Sequence, residues 1–170
     1  MMTVVTGTPG TGKSTVAEEL ERRGWMVVRA AETVGPFVLG DDPDRDTSVV
    51  DEEAWVRSFA PVDGIVEGHL AHLLPSDRAV VLRCRPDVLE GRLQARGYAR
   101  AKVRENAEAE ALDVILVETL EVHPQETVLE IDTTNLSLAE TADLIEGFIR
   151  GTVLPSSGSL DWSAYLMEGL

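Results

Sequence analysis

Cysteine is nearly missing from this chain, Cys84 being the only one in 170 residues. One thiol excludes an intramolecular disulfide and a clustered-thiolate metal site, and its place inside an apolar run reads as a buried, inert side chain. A reducing, cytoplasmic setting fits. Lysine is almost as scarce: Lys13 and Lys102 are the only two among 15 basic residues, which face 30 Asp and Glu, so the formal net charge is −15. Such a surface repels nucleic-acid phosphates, argues against duplex DNA as a partner and favours a basic protein. An acidic, lysine-poor composition also resembles that of halophilic proteins, whose crowded carboxylates are screened by high salt. Long apolar runs are missing too. The best candidate, Ala111 to Val117, is interrupted by Asp113 and falls short of the ~18 residues of a membrane span. Met1 and Met2 lead directly into apolar residues with no secretory signal pattern, so a soluble, non-secreted protein is expected.

What is present is organised around Gly7-Thr8-Pro9-Gly10-Thr11-Gly12-Lys13-Ser14-Thr15, which matches G-x-x-x-x-G-K-[ST] at every fixed position. A short apolar run, Thr3 to Thr6, leads into it and a helix-like run, Ser14 to Arg22, leads out. Gly10 and Gly12 allow successive backbone N–H groups to turn inward around phosphate oxygens, and the helix start adds its positive dipole end. In this pattern Lys13 reaches the β and γ phosphates, and the hydroxyl of Ser14, with that of Thr15 as a further candidate beside it, ligates or orients Mg²⁺.

Along the chain, Trp25 to Ala30 reads as a second strand, and Glu32 to Val50 as a long irregular loop or small insert containing the acid-rich Asp41-Asp42-Pro43-Asp44-Arg45-Asp46. Its position suits a substrate-binding insert. Asp51 to Phe59 is helix-like, with Ala54, Val56 and Phe59 available for burial. Gly64 to Glu67 is a strand with an acid at its carboxyl end, where ligands collect in parallel sheets, so Glu67 is a candidate to hold Mg²⁺ through water or to polarise the nucleophile. His69, two residues on, is a candidate to orient water or a nucleotide. Ala79 to Cys84 is the clearest strand and is expected at the sheet centre. The helix Pro86 to Arg96 follows, then a helix from Glu105 to Val122, a fifth strand Val128 to Asp132, and a last helix opened by the capping pattern Ser137-Leu138-Ala139-Glu140. With at least one helix expected in each link, this order implies a five-stranded parallel sheet with helices on both faces. Residues 151–170 read as a carboxyl-terminal extension, with Pro155 to Ser159 a linker and Leu160 to Leu166 a segment free to dock or not.

Against the acidic background, Arg92, Arg96, Arg100, Lys102 and Arg104 fall in one segment, Arg92 to Arg104, that contains no acid. Such a local electropositive stretch suits polyphosphate, and Gly97 permits a hinge between its halves, as a closing lid requires.

Together, the phosphate loop, Val66-Glu67-Gly68-His69, Val81-Leu82-Arg83, and Arg96-Gly97-Tyr98 followed by Lys102, Asn106 and Glu110 resemble the adenylate kinase isoenzyme six family. The resemblance spans about Thr3 to Arg150. It implies a P-loop NTPase three-layer sandwich over residues 1–150, with a monophosphate-binding segment near 30–50 and a short lid near 95–105. It also implies transfer of the ATP γ-phosphoryl to AMP or another nucleoside monophosphate, and ATP contacts at Gly10, Gly12, Lys13, Ser14, Thr15 and Arg96; Thr11 lies in the same loop. Members are implicated in small-subunit ribosome assembly, which implies a basic ribosomal protein as a partner. Glu67 stands where the family usually has Asp, and Asn135 where relatives can carry a base-contacting Lys. Charge neutralisation by Lys13, Mg²⁺, Arg96 and Arg100 is the expected source of transition-state stabilisation. An ATP-switched assembly factor and a P-loop kinase of a small metabolite are the alternative readings.

Overall fold

Each core strand alternates between two apolar layers, and that alternation requires cover on both faces. In the computed structural model, which describes residues 1–44 and 47–167, the sheet strands are β1 (Met2–Gly7), β2 (Val27–Arg29), β5 (Gly64–Glu67), β6 (Arg78–Arg83) and β7 (Val128–Asp132). They pair in parallel in the order β2-β5-β1-β6-β7. Val4, Val66, Val81 and Val128 face one layer with Trp55, Leu74, Ile115 and Leu116. Val5, Ile65, Val80, Leu82 and Ile131 face the other with Leu20, Ile145 and Phe148. The first layer is covered by α2 (Glu52–Ser58) and α5 (Val114–Val122), the second by α1 (Lys13–Arg22) and α6 (Leu138–Arg150). Helices α3 (Pro86–Ala95) and α4 (Arg100–Ala111) close on Cys84, Leu89, Leu93 and Val103. This is the expected three-layer α/β architecture.

Several expectations are corrected. The central strand is β1, with β6 beside it; both are buried on both faces, so apolar continuity alone does not rank them. The β5–β6 link holds only a 3₁₀ turn, Ala71–Leu73, where a helix was expected. In α2 the fully buried side chain is Trp55, whose indole N–H donates to the Thr33 hydroxyl at 2.9 Å, while Val56 and Phe59 only border the core. The expected helix from Glu105 to Val122 is two helices, broken where Asp113 takes the left-handed conformation at φ 57°. An Asp tolerates that region better than most residues, and here its carboxylate accepts from Arg83 at 2.5 Å. Of the two forms expected for Glu32 to Val50, a long loop or a small insert, the structure has an insert built on an antiparallel hairpin, β3 (Val38–Asp42) and β4 (Thr47–Val50); Arg45 and Asp46 lie outside the described residues.

The carboxyl-terminal extension docks. Backbone groups of Ser156 pair with Val128 and Glu130 of β7, the Trp162 ring lies 5.0 Å from the Arg83 guanidinium carbon, and the Tyr165 hydroxyl donates to Glu90 at 2.5 Å. A short helix, α7 (Ala164–Met167), ends the described chain.

His72 and His123 are buried and structural. In its neutral form His72 accepts from the Thr6 hydroxyl at Nδ1 and donates from Nε2 to Glu118 at 2.9 Å, while His123 Nε2–H donates to the His72 carbonyl at 2.8 Å. Burial holds both imidazoles below the usual 6.5. The unfolded chain therefore takes up protons near that pH which the folded chain does not, so unfolding is favoured as pH falls below 6.5. The melting temperature is expected to drop between pH 7 and pH 5, with both ring titrations below 6.5 by NMR. A flat melting temperature across that window would contradict the assignment.

Candidate phosphate-binding site

β1 ends at the carboxyl edge of the sheet, and the chain there must turn back sharply to enter α1. Gly10 (φ 91°) and Gly12 (φ 101°) carry that turn in the left-handed region. At Gly10 the packing is an additional constraint: a Cβ would stand 2.8 Å from Leu89 Cδ1 and 2.9 Å from Leu93 Cδ2. Gly12 is the N-cap of α1 and offers no side-chain acceptor to the first-turn N–H groups, which stay free for an anion.

The loop is held from several sides. The Thr11 hydroxyl donates to the Thr8 carbonyl at 2.8 Å, and the Thr133 hydroxyl, beyond β7, lies 2.9 Å from the Thr11 carbonyl. Arg92 on α3 donates to Gly10 O at 3.4 Å and to Thr133 O at 3.0 Å. Arg92 is thus spent on the loop's backbone. Sequence reading placed it only in a basic segment, and the signal that could have separated it is its position on α3, before Gly97.

Lys13 is 8 % exposed, and its ammonium donates to the Thr8 carbonyl at 3.1 Å. Burial pushes its pKa down to about 8, opposed by the charges of Glu67 and Glu110 and reinforced by Arg96. Glu67, at the end of β5, is held above the usual carboxylate range by burial, against the pull of Lys13, Arg29 and a hydrogen bond with Ser14. His69 Nδ1 lies 3.3 Å from the Gly7 carbonyl, which can only accept, so Nδ1 carries the proton; burial lowers the pKa and leaves Nε2 unprotonated.

Lys13, Ser14, Glu67, His69 and Arg96 are therefore gathered around one loop. Arg96, the C-cap of α3, shares a depression of about 440 Å³ with Gly10, Thr11, Gly12 and Thr15. Arg100 is the exception. At 100° per residue it lies about 200° around α4 from Lys102, and it borders a different depression with Glu90, Arg104 and Tyr165. The opposite face of α4 presents Lys102 and Asn106 to a cleft of about 840 Å³ that also touches Thr8, Pro9, His69 and Tyr98. Sequence reading gave Thr8 and Glu110 no role in the site, yet the two are joined by a buried hydrogen bond of 2.5 Å.

Glycine cradle, free helix start and buried ammonium together fit the terminal phosphates of a nucleoside triphosphate. Ser14 hydroxyl and Glu67 carboxylate are oxygen donors only, and no cluster of three or more His, Cys, Asp or Glu suited to a metal occurs among the described residues. Two oxygen donors beside a phosphate cradle fit Mg²⁺, which keeps several waters and takes ligands from phosphate. Lys13→Met is expected to reduce phosphoryl transfer by about 100-fold or more while circular dichroism and melting temperature hold, because it removes a buried charge and no core contact. Concurrent loss of helical signal would show that the lysine is structural.

Comparison with known proteins agrees with this geometry. Residues 4–113 match the family model described as "AAA domain". A protein of Natronomonas pharaonis named "Putative adenylate kinase" is 46 % identical over 169 residues, covering 98 % of this chain and 100 % of its own. Another of that name from Archaeoglobus fulgidus is 46 % identical, covering 99 % and 95 %. Among solved structures, a sugar kinase from Janibacter sp. HTCC2649 superposes with a TM-score of 0.59 at 19 % identity over 88 % of this chain and 94 % of that one. Deoxyadenosine kinase from M. mycoides, solved with dATP, does so at 0.57 and 12 % identity over 88 % and 100 %. These two carry the fold alone. The chain belongs to the AAA domain family and, over 98–99 % of its length, to the same family as these two proteins named "Putative adenylate kinase".

Proposed function

We propose that the chain is a Mg²⁺-dependent nucleoside-monophosphate kinase that transfers the γ-phosphoryl of ATP in line to AMP, giving two ADP. The observation that carries this reading is that the phosphate loop has a depression on each side. One of about 440 Å³ lies against Gly10, Thr11, Gly12, Thr15, Val16 and Arg96, and one of about 840 Å³ against Thr8, Pro9 and α4. Both fall in the range of small-molecule sites. A phosphate cradle between two nucleotide-sized spaces suits direct transfer between two bound nucleotides.

On this reading ATP lies over Gly10, Thr11, Gly12, Ser14 and Thr15, with Lys13 and Arg96 facing the transferring group. Their charge is worth most where burial excludes water. Ser14 and Glu67 are the residues that would hold Mg²⁺, which would supply charge neutralisation and orientation of the phosphates. The monophosphate occupies the larger cleft, where Lys102 is the only Lys or Arg among the lining residues and the unprotonated Nε2 of His69 is available to orient a water or nucleotide hydroxyl. The turn at Gly97 (φ 80°) joins α3 to α4 over both spaces and acts as the short lid. The isoenzyme-six type, a basic small-subunit ribosomal protein as partner and adaptation to high salt are finer readings. The net charge of −15 favours the basic partner and the salt adaptation, while the isoenzyme-six type rests on the phosphate loop and on Arg96-Gly97-Tyr98 with Lys102, Asn106 and Glu110.

The deciding assay is ADP formation from ATP with AMP, with other monophosphates and with no acceptor. AMP is expected to raise ATP consumption well above the acceptor-free rate, with two ADP formed per ATP used. Hydrolysis of ATP independent of any monophosphate, and stimulated by a basic ribosomal protein, would favour the switch instead. In a KCl series the melting temperature is expected to rise, as the Debye length shrinks from ~10 Å at 0.1 M to ~3 Å at 1 M; a flat or falling trend removes the salt-adapted reading.

A further inference from the structure

Glu110 is 2 % exposed, eight residues along α4 from Lys102 and on the same face. Its carboxylate is fully engaged. Oε2 accepts the Thr8 hydroxyl at 2.5 Å, and Oε1 accepts Arg83 Nε and the Cys84 backbone N–H, each at 2.9 Å. Its backbone carbonyl accepts Arg83 Nη2 at 2.9 Å. A buried carboxylate costs several kcal/mol unless it is paired, and here the pairing fixes it against the end of β6. One oxygen is directed at the phosphate loop.

Thr8 is the residue through which that fixed point reaches the site. Its side chain is held by Glu110, and its carbonyl accepts the Lys13 ammonium at 3.1 Å, the Thr11 hydroxyl at 2.8 Å and the Thr11 N–H at 3.3 Å. The position of one peptide carbonyl therefore sets where the Lys13 ammonium sits, and the Thr8–Glu110 bond sets the position of that peptide. The same α4 face carries Lys102 and Asn106 into the larger cleft, joined by an Asn106 Nδ2 to Lys102 O bond of 2.8 Å. The loop and the cleft wall thus share one rigid element.

We propose that Glu110 is a positioning residue: by holding Thr8 it places the Lys13 ammonium for the nucleoside triphosphate and ties the phosphate loop to the helix that walls the larger cleft. The tie rests on the kinase reading only where it concerns the acceptor in that cleft; the effect on triphosphate binding does not.

The test is a double-mutant cycle on the affinity for Mg²⁺ with the non-hydrolysable analogue AMP-PNP, measured by calorimetry without any acceptor. Thr8→Val removes the hydroxyl at nearly constant volume, and Glu110→Gln removes the charge while keeping an acceptor. Each is expected to weaken AMP-PNP by about tenfold, the scale of a hydrogen bond to a charged group, and the double variant is expected to be no weaker than the worse single one. Thr8→Ser restores the hydroxyl and is expected to restore affinity. Glu110→Gln also disturbs Arg83; if it does not fold, the Thr8→Val and Thr8→Ser pair decides alone, with the melting temperature of Thr8→Val as the check that the fold holds. Wild-type affinity in Thr8→Val, or single losses that multiply in the double variant, would overturn the proposal. Absence of AMP-dependent ADP formation would instead count against the kinase reading and leave this cycle interpretable.

Discussion

At the carboxyl end of β6 the Arg83 guanidinium is 1 % exposed, and a buried cation is tolerable only when it is paired and its N–H groups are satisfied. Glu110, Asp113 and Glu130 supply that pairing from α4, from the break between α4 and α5, and from β7, and the Trp162 ring covers the guanidinium from the carboxyl-terminal extension. Four separate parts of the chain therefore have to arrive at one side chain. Removing any carboxylate leaves the others in place around the same cation, whereas removing the cation leaves three carboxylates buried or half-buried together. The arginine is the member on which the cluster depends.

The consequences extend into the site. Glu110 uses its second oxygen on Thr8, so charge pairing at β6 and phosphate-loop geometry are two uses of one carboxylate. Asp113 accepts a left-handed backbone while bonded to Arg83, and that break allows α4 to line the larger cleft while α5 turns back over the sheet. The docking of Trp162 over Arg83 links the carboxyl-terminal extension to the same point.

The parts that were legible in the sequence are those whose cause is local. The phosphate loop is read from glycine spacing and the Lys-Ser pair; the last helix from its capping box, which the structure shows in both directions between Ser137 and Glu140; the buried strands from unbroken apolar runs. The parts that were not legible depend on partners distant in sequence. Asp113 looks like one polar residue on a long helix until Arg83, thirty residues earlier, is placed beside it. Arg92 and Arg100 are equivalent in a count of basic residues, yet α3 directs one to the Gly10 carbonyl and α4 turns the other to the Tyr165 side. The sequence does not single out Trp55 from its neighbours, because helical period fixes a stripe but not its phase, and a partner for the indole N–H at Thr33 is a tertiary fact.

The electrostatics of the larger cleft add a constraint that composition alone hides. Its wall carries Glu52, Glu105, Glu118 and Glu121 against Lys102, whose ammonium is itself 3.6 Å from Glu105. A dianionic phosphate is repelled by that wall and attracted to the loop, where Lys13 and Arg96 lie. Under the kinase reading, this asymmetry orients an acceptor with its phosphate toward the loop and its neutral base toward α5, since carboxylates accept N–H donors but oppose anions. On that same reading the carboxylates of a protein with a net charge of −15, which oppose phosphate binding in general, give it a direction in this cleft, because Lys13 and Arg96 lie at the loop.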